Sequence, residues 1–260
     1  MALSRFASLG SGSQGNGLVF EAGNSRVLLD CGFAVRDTAM RLGRLGLAPE
    51  DLAGIIVTHE HSDHVSGVFP LARRHGIPVW ISFGTLESIK ASDPEAAEGV
   101  TVGLVSGGVA FAIGDVQVQP FTVPHDAREP VQYVFSDGAR RLGVLTDTGS
   151  STPHIEATLS GCDALVLETN HDRELLKKSE YPSWLKARVA GQFGHLDNDA
   201  SAQLLGALDR SRLRHLVAAH LSKKNNTPAL AREALVQVMG CEPDWITLAT
   251  QDEGFGWRDL

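Results

Sequence analysis

The sequence predicts an α/β chain in four layers, with two sheets face to face and helices outside. Three observations predict it. Between Leu52 and Ser82 a strand, a polar loop, a helix and a second strand follow one another, the order of an α/β unit. Val100 to Leu145 is rich in short strands. The chain then reads as two strand-rich blocks, each flanked by helices, with no short internal repeat.

The elements follow in order. Arg5–Leu9 is a short strand, and Leu18–Glu21 and Arg26–Asp30 are apolar strands around a Gly23-Asn24 turn signal. Together they predict a β-meander. A helix is expected from Asp37 to Leu45, capped by Asp37, with Met40, Leu42 and Leu45 in partial helical spacing. Leu52–Val57 is a buried strand, His59–His64 a polar loop, Val65–His75 a helix ended by Gly76, and Pro78–Ser82 a strand. Phe111–Ile113, Val116–Val123, Val131–Phe135 and Arg141–Leu145 are short strands separated by turn signals. Ala164–Glu168 and His215–Ala219 are further strands, and Asp199–Asp209 and Ala229–Met239 are helices.

The 260 residues suffice to bury a core without staples, and one domain over 1–260 is expected. With 43% hydrophobic and 21% charged residues the chain is neither disordered nor fibrous. Cys31, Cys162 and Cys241 are odd in number, far apart and outside any CxxC pair. They read as buried small hydrophobes in a reducing compartment, not as a disulfide framework or zinc knuckle. No leader is visible at the N-terminus, and nothing approaches the roughly 18 apolar residues of a membrane span. A cytoplasmic setting without a membrane partner is therefore expected. The net charge of −8 argues against a general polyanion binder. Bound metal would neutralise several acidic groups, however, and local basic patches survive a negative total.

The chemistry concentrates in Thr58-His59-Glu60-His61-Ser62-Asp63-His64. Three histidines and an aspartate in six residues offer the natural ligands of zinc, manganese and iron. His59 and His61, two apart, point the same way on an extended loop. Asp63 and His64 fall at the loop-to-helix junction and can face a second ion. A polar loop with capping groups is the plain alternative, but the pattern is long and specific. It differs from the helical His-Glu-x-x-His motif, whose second histidine would stand where Asp63 does. Further ligands are sought at strand ends: His125 in Thr-Val-Pro-His-Asp, Asp147 in Leu-Thr-Asp-Thr-Gly and His220 in Ala-Ala-His-Leu-Ser. Each alone is an ordinary strand-end polar residue. Together they complete the set.

In this order His59–His64, His125, Asp147 and His220 resemble the ligand motifs of the metallo-β-lactamase superfamily, and Asp30 in Leu-Leu-Asp-Cys-Gly resembles its first motif. The resemblance covers nearly the whole chain and implies a four-layer αββα sandwich. Gly10–Gly17, Thr146–Gly149, Glu168–Asp172, Gly194-His195-Leu196 and His220–Pro228 are similar to the YycJ/WalJ branch, which implies a cytoplasmic phosphodiesterase with 5′-to-3′ DNA exonuclease activity. That branch reads Gly-His-Leu-Ser-Asn where this chain has Asp197 before Asn198, a negative charge for a hydroxyl beside the expected phosphate site. The resemblance implies two divalent ions. His59, His61 and His125 would hold the first, Asp63, His64 and His220 the second, and Asp147 would bridge them. Asp30 would brace the ligand loop.

A hydroxide between the ions is the expected nucleophile, since metal lowers the pKa of water to about 7. Asp63 would orient it or accept its proton. His195 is the candidate general acid or phosphate clamp; the alternative is a loop histidine before a helix capped by Asn198 or Asp199. Ser222, Lys223, Asn225 and Asn226 would hold phosphate oxygens, the alternative being a solvated turn before the Pro228 helix. Asn170 and His171 either line the cleft or cap a helix over 172–178.

Other signals are set aside. Gly10, Gly12 and Gly15 match Gly-x-Gly-x-x-Gly, but a strand follows instead of a helix, so only an approach of the loop's amides to phosphate is retained. No nucleophile elbow surrounds Ser150 and Ser151. Trp184, Trp245 and Trp257 read as packing residues, while Phe193, beside His195, could stack a base. The metal argument alone yields a hydrolase; the resemblance adds nucleic acid, DNA foremost. The competing reading is a small-substrate hydrolase of the same fold: a cyclic phosphodiesterase, a thioesterase or a lactonase. The net charge favours it, and Lys223–Asn226 disfavours the last two. A non-catalytic module predicts missing ligands, and every ligand position is filled.

Overall fold

The computed structural model describes residues 4–260; residues 1–3, where the leader-free reading begins, lie outside them. The N-terminal half runs β1 (Arg5–Gly10), β2 (Gly17–Ala22), β3 (Ser25–Leu29), α1 (Val35–Arg44), β4 (Gly54–Ile56), α2 (Ser62–Val65), α3 (Val68–His75), β5 (Val79–Ser82), α4 (Phe83–Ser92) and β6 (Val102–Val105). The C-terminal half runs β7 (Phe111–Ile113), β8 (Val116–Thr122), β9 (Val131–Ser136), β10 (Arg141–Leu145), α5 (Pro153–Leu159), β11 (Ala164–Glu168), α6 (Arg173–Lys178), α7 (Ser183–Val189), α8 (Asn198–Ala207), β12 (His215–Ala219), α9 (Pro228–Met239), β13 (Thr247–Leu248) and β14 (Phe255–Asp259).

Two seven-stranded sheets result, in the orders β14-β1-β2-β3-β4-β5-β6 and β13-β12-β11-β10-β9-β8-β7. Each begins as an antiparallel meander and continues as parallel strands: β3 to β6 in the first, β10 to β13 in the second. The strands alternate between two buried faces. Val27 and Leu29 join Phe20, Val118, Phe135 and Val166 in the core between the sheets. Leu28 points the other way, among Leu42, Ile55, Leu71 and Ile81. Leu165, Leu204, Leu205 and Leu235 fill the corresponding space outside the second sheet. Three apolar layers separate four structural ones, as sheets covered on both faces require.

The predicted strands and the meander are present, three helical expectations need correction, and helices α4, α5 and α7 were not expected. The helix expected from Val65 is broken: the polar loop already contains the turn α2, and α3 starts at Val68. The ladder is interrupted because Gly67 N donates to Cys31 O at 2.8 Å and Asp63 O accepts from Asn16 N at 2.8 Å, and the approach to Phe33 O leaves no room for a Cβ at Gly67. Helix α1 begins before Asp37, which caps nothing and pairs with Arg41 at 3.1 Å one turn on. Helix α8 is capped by Asp197, which accepts from Ala200 N at 2.9 Å, not by Asn198 or Asp199. Ser82, the last residue of β5, caps α4. Cys31 and Cys162 are buried as expected, and Cys241 is half-buried. Of the tryptophans read as packing, Trp184 is 67% exposed.

Candidate metal centre

Parallel strands gather their functional loops at their carboxyl ends. Asp30 follows β3, His59 follows β4, Asp147 follows β10, Glu168 ends β11 and His220 follows β12. His125 follows β8, which runs in the same sense as β10 because each is antiparallel to β9. Asp30, Asp147 and His220 have φ of 58°, 55° and 55°, the positive-φ non-glycine residues among those described. Such left-handed backbone costs about 1–3 kcal/mol each and concentrates where side chains must be aimed.

The geometry joins residues far apart in sequence. His61 Nδ1 and His125 Nε2 lie 3.2 Å apart. His64 Nε2 is 3.1 Å from Asp147 Oδ2 and 3.5 Å from Asp63 Oδ2, and His220 Nε2 is 3.5 Å from the same Asp63 oxygen. Donor atoms of His59, His61 and His125 lie within 4.8 Å of one another, as do those of Asp63, His64 and His220, and those of His59, His64 and Asp147. The remote nitrogens are fixed. His64 Nδ1 faces Asp30 Oδ2 at 2.8 Å, His125 Nδ1 faces Gly194 O at 3.1 Å, and His59 Nδ1 faces Thr58 Oγ1 at 2.9 Å. Such bracing leaves the opposite nitrogen of each ring as the inward ligand atom.

Two observations test whether these residues suit divalent cations. Among the described residues, His59 Nε2, His220 Nε2 and Asp147 Oδ2 are buried without a well-aligned hydrogen bond, the last two having only ion-pair contacts to Asp63 at 3.5 Å and His64 at 3.1 Å. Each such orphan costs about 1–3 kcal/mol, and all three face the cluster, where a cation would satisfy them. The second observation is electrostatic. Burial and the neighbouring His64 charge hold His59 well below the usual histidine range. Burial would also depress His64, but the Asp147 and Asp30 carboxylates push it well above that range. Against the same burial, Asp147 leads the contacts that push His220 up to about 10. Asp63, despite burial, is held at about 2 by His220 and His64. Carboxylates that trap protons on histidines this strongly favour any positive charge there, and a metal would displace those protons. The donor set of imidazoles and carboxylates fits divalent ions.

Beside the cluster opens a cavity of about 380 Å³, lined by His61, Asp63, Asp147, His195 and His220 and also by Tyr181, Leu185 and Arg188. His195 joins the site, its Nδ1 2.8 Å from Glu168 Oε1. Ser222 and Asn225 line the cavity, and Asn225 Oδ1 is buried without a partner. Lys223 and Asn226 do not line it. Lys223 Nζ donates to Gln14 Oε1 at 2.7 Å, and Asn226 is locked to Asn198 and Thr169 O. Asn170 lines the cleft and donates to His220 O at 2.9 Å; Asp172, rather than Asn170 or His171, caps α6. Asp197 spends its charge on the α8 cap and on Arg173 at 2.8 Å, so it presents no free carboxylate to a phosphate. Most amides of the glycine loop are spent within the protein, those of Ser11, Gly12, Gln14, Gly15 and Asn16 among them, while Ser13 is exposed and lines the cavity.

Two contributors escaped sequence reasoning. Glu168 is fully buried; besides His195, its carboxylate accepts from Thr148 N and Leu196 N. Its signal was a carboxylate ending an otherwise apolar strand. Asn16 donates to Asp63 O and lies 3.3 Å from Asp63 Oδ2, so the glycine loop braces the ligand loop.

Two sheets packed face to face, with helices outside and a histidine–carboxylate cluster at the carboxyl edge, define a metal-dependent hydrolase. The beta-lactamase superfamily domain matches residues 25–221. The exodeoxyribonuclease YycJ of Bacillus anthracis is 33% identical over 254 residues, 96% of this chain and 90% of that protein. The exodeoxyribonuclease WalJ of Streptococcus pneumoniae is 31% identical over 89% of this chain and 87% of its own length. The chain belongs to the metallo-β-lactamase superfamily, in the family of the YycJ and WalJ proteins. Its fold matches that of the metallo-β-lactamase fold protein YhfI of Bacillus subtilis, with a TM-score of 0.77 at 16% identity over all of both chains.

Proposed function

We propose that the chain is a divalent-metal-dependent phosphodiesterase that removes nucleotides from DNA, 5′ to 3′. The observation that carries the chemistry is the convergence of His59, His61, His125, Asp63, His64 and His220 around Asp147, with orphaned donor atoms facing inward. The first three would hold one cation, the next three a second, and Asp147 would serve both. DNA enters the reading through the relatives, named exodeoxyribonucleases. Three unpaired thiols support a cytoplasmic setting.

Bound cations supply water of lowered pKa and neutralise charge on the attacked phosphoryl group. The protein's own groups do the rest. Asp63, bordering the cavity, orients the attacking water and accepts its proton. His195 is held through Nδ1 by Glu168; burial opposes its protonation, but the Glu168 carboxylate pushes its pKa up. The imidazole therefore carries a proton toward the cavity, where it protonates the leaving alkoxide.

A second reading, a phosphodiesterase for small cyclic esters, is favoured by the net charge of −8. A panel of 5′-labelled and 3′-labelled oligonucleotides, single-stranded and duplex, with zinc, manganese or iron separates the two. Stepwise loss from a 5′-phosphorylated end is expected. Turnover confined to bis-p-nitrophenyl phosphate or cyclic nucleotides would establish the second reading. Asp63→Ala is expected to abolish turnover while leaving the circular dichroism spectrum unchanged; retained turnover would refute its role.

A further inference from the structure

One wall of the cavity carries a surface that the fold does not use. Helix α7 buries none of its residues. Its Leu185, Arg188 and Val189, spaced one turn apart, line the cavity together with Tyr181. Trp184 stands one turn before Arg188 and is 67% exposed; Phe193, past the end of the helix, is 60% exposed. Neither ring lines the cavity. Two large rings left in water flank the approach to the site, where scattered single exposures would need no explanation.

Charge accompanies the rings. Arg173 to Arg188 holds five cationic residues against two glutamates, in a chain whose net charge is −8. Arg173 pairs with Asp197 and Asp199, Lys178 with Glu174 and Arg188 with Asp126, while Lys177 and Lys186 have no carboxylate partner among the described residues. Lys177, Lys178 and Arg188 are exposed there, and Lys224 Nζ lies 5.5 Å from the Tyr181 ring centre. Exposed aromatics interleaved with cations beside a cleft suit one class of occupant. A single-stranded nucleic acid presents flat unstacked bases to the rings and phosphates to the cations. A membrane or a second copy of this chain would bury the rings, but a second copy would bring its own like charge to this patch.

We propose that the α7 segment, through Trp184 and Phe193, is a stacking platform that holds unpaired nucleotides of the substrate strand at the mouth of the cavity. This specifies the substrate of the preceding reading as a strand with unpaired bases, and it rests on that reading. The platform works by stacking and charge alone. It therefore predicts tolerance of base sequence and steep dependence on salt.

The test uses the full chain with chelator, so that binding is read without turnover, and an oligothymidylate labelled at its 3′ end. Fluorescence anisotropy is expected to show binding that weakens steeply with salt, and about tenfold weaker for Trp184→Ala and for Phe193→Ala. Trp184→Phe restores most of the affinity. With manganese, hydrolysis of bis-p-nitrophenyl phosphate by the alanine variants stays within about twofold of wild type, since neither ring lines the cavity. Unchanged oligothymidylate affinity in both alanine variants would overturn the platform while leaving the phosphodiesterase reading intact. A shift from dimer to monomer in the variants by sedimentation would overturn it too, assigning the rings to a chain–chain contact. A wild-type chain that binds the oligothymidylate yet hydrolyses no phosphodiester would overturn the functional reading instead.

Discussion

Asp30 Oδ2 accepts the Nδ1 proton of His64 at 2.8 Å, and neither side chain is more than 4% exposed. The same carboxylate receives Thr58 N at 2.8 Å and Thr58 Oγ1 at 2.9 Å, so one residue after β3 fixes both the start of the ligand loop and the ring at its end. Asp30 holds φ at 58° to do so, a conformation that asparagine tolerates better than most residues. Asp30→Asn thus keeps the backbone and weakens the acceptor. Metal affinity should fall by about 10–100-fold, measured by competition with a chromogenic chelator, with the melting temperature of the metal-free protein nearly unchanged. Undiminished affinity would mean that His64 needs no carboxylate partner.

The contact between Glu168 and His195 supports a different prediction. Glu168 ends β11 inside the protein, where its carboxylate meets His195 Nδ1 at 2.8 Å, His220 Nδ1 at 3.4 Å and the backbone amides of Thr148 and Leu196. His195→Ala should lower kcat by about 10²–10⁴-fold, the range of general acid–base catalysis, while metal content by elemental analysis stays near wild type. An equal loss of both would make His195 a ligand. Glu168→Gln should lower kcat less than His195→Ala, because the imidazole itself remains while losing its charged partner. Its signature is sensitivity to the leaving group: esters of acidic phenols, which need no proton, should be spared in both variants.

The two cases mark how far sequence could see. The ligand loop was legible because three histidines and an aspartate crowd into six residues directly after an apolar strand. The sandwich was legible because strands such as Ala164–Leu167 are apolar on both faces. Glu168 was not legible as a site residue, since its role depends on His195 arriving from a loop 27 positions later. The break at Gly67 has the same cause: the carbonyl that takes its amide belongs to Cys31, remote in sequence. Helix α4 begins without any turn after β5, so no punctuation announced it. Among Asp197, Asn198 and Asp199, all able to cap, only the backbone shows which one does. Lys223 and Asn226 shared a plausible phosphate motif with Asn225, but the turn sends one toward Gln14 and the other beneath α8.

Away from the site, Glu21 in the middle of the meander ties three strands. It stands opposite Arg5 on β1 and Arg26 on β3, with both Nε···O distances at 2.6 Å. Burial raises its pKa, but the two guanidinium groups outweigh burial and hold it below the ordinary carboxylate value. A carboxylate depressed in the folded state stabilises above its unfolded pKa, about 4.3, and loses that contribution as pH falls through the folded value. The arginines are partly exposed, so screening limits the effect. Glu21→Gln should cost about 1–2 kcal/mol at neutral pH by urea denaturation. The gap to wild type should narrow steadily as the pH falls below about 4.3. A gap that persists in acid would assign the loss to packing instead of charge.

Asn225 separates structural from functional use of a buried amide. Its backbone is structural: Asn225 N donates to Ser222 Oγ at 3.1 Å, and Asn225 O accepts from Asp172 N at 2.8 Å. Its side chain is not, since Oδ1 has no partner and the residue borders the cavity. A buried acceptor left unsatisfied destabilises the folded chain by about 1–3 kcal/mol, so Asn225→Ala should leave the melting temperature unchanged or raise it. If the amide holds a substrate phosphate equally in ground and transition states, KM for a phosphodiester rises about tenfold while kcat is retained. Asn225→Asp puts a carboxylate where an anion must sit and should raise KM further, with the penalty easing as salt increases. A fall in melting temperature without change in KM would make the amide a structural group and remove it from the substrate site.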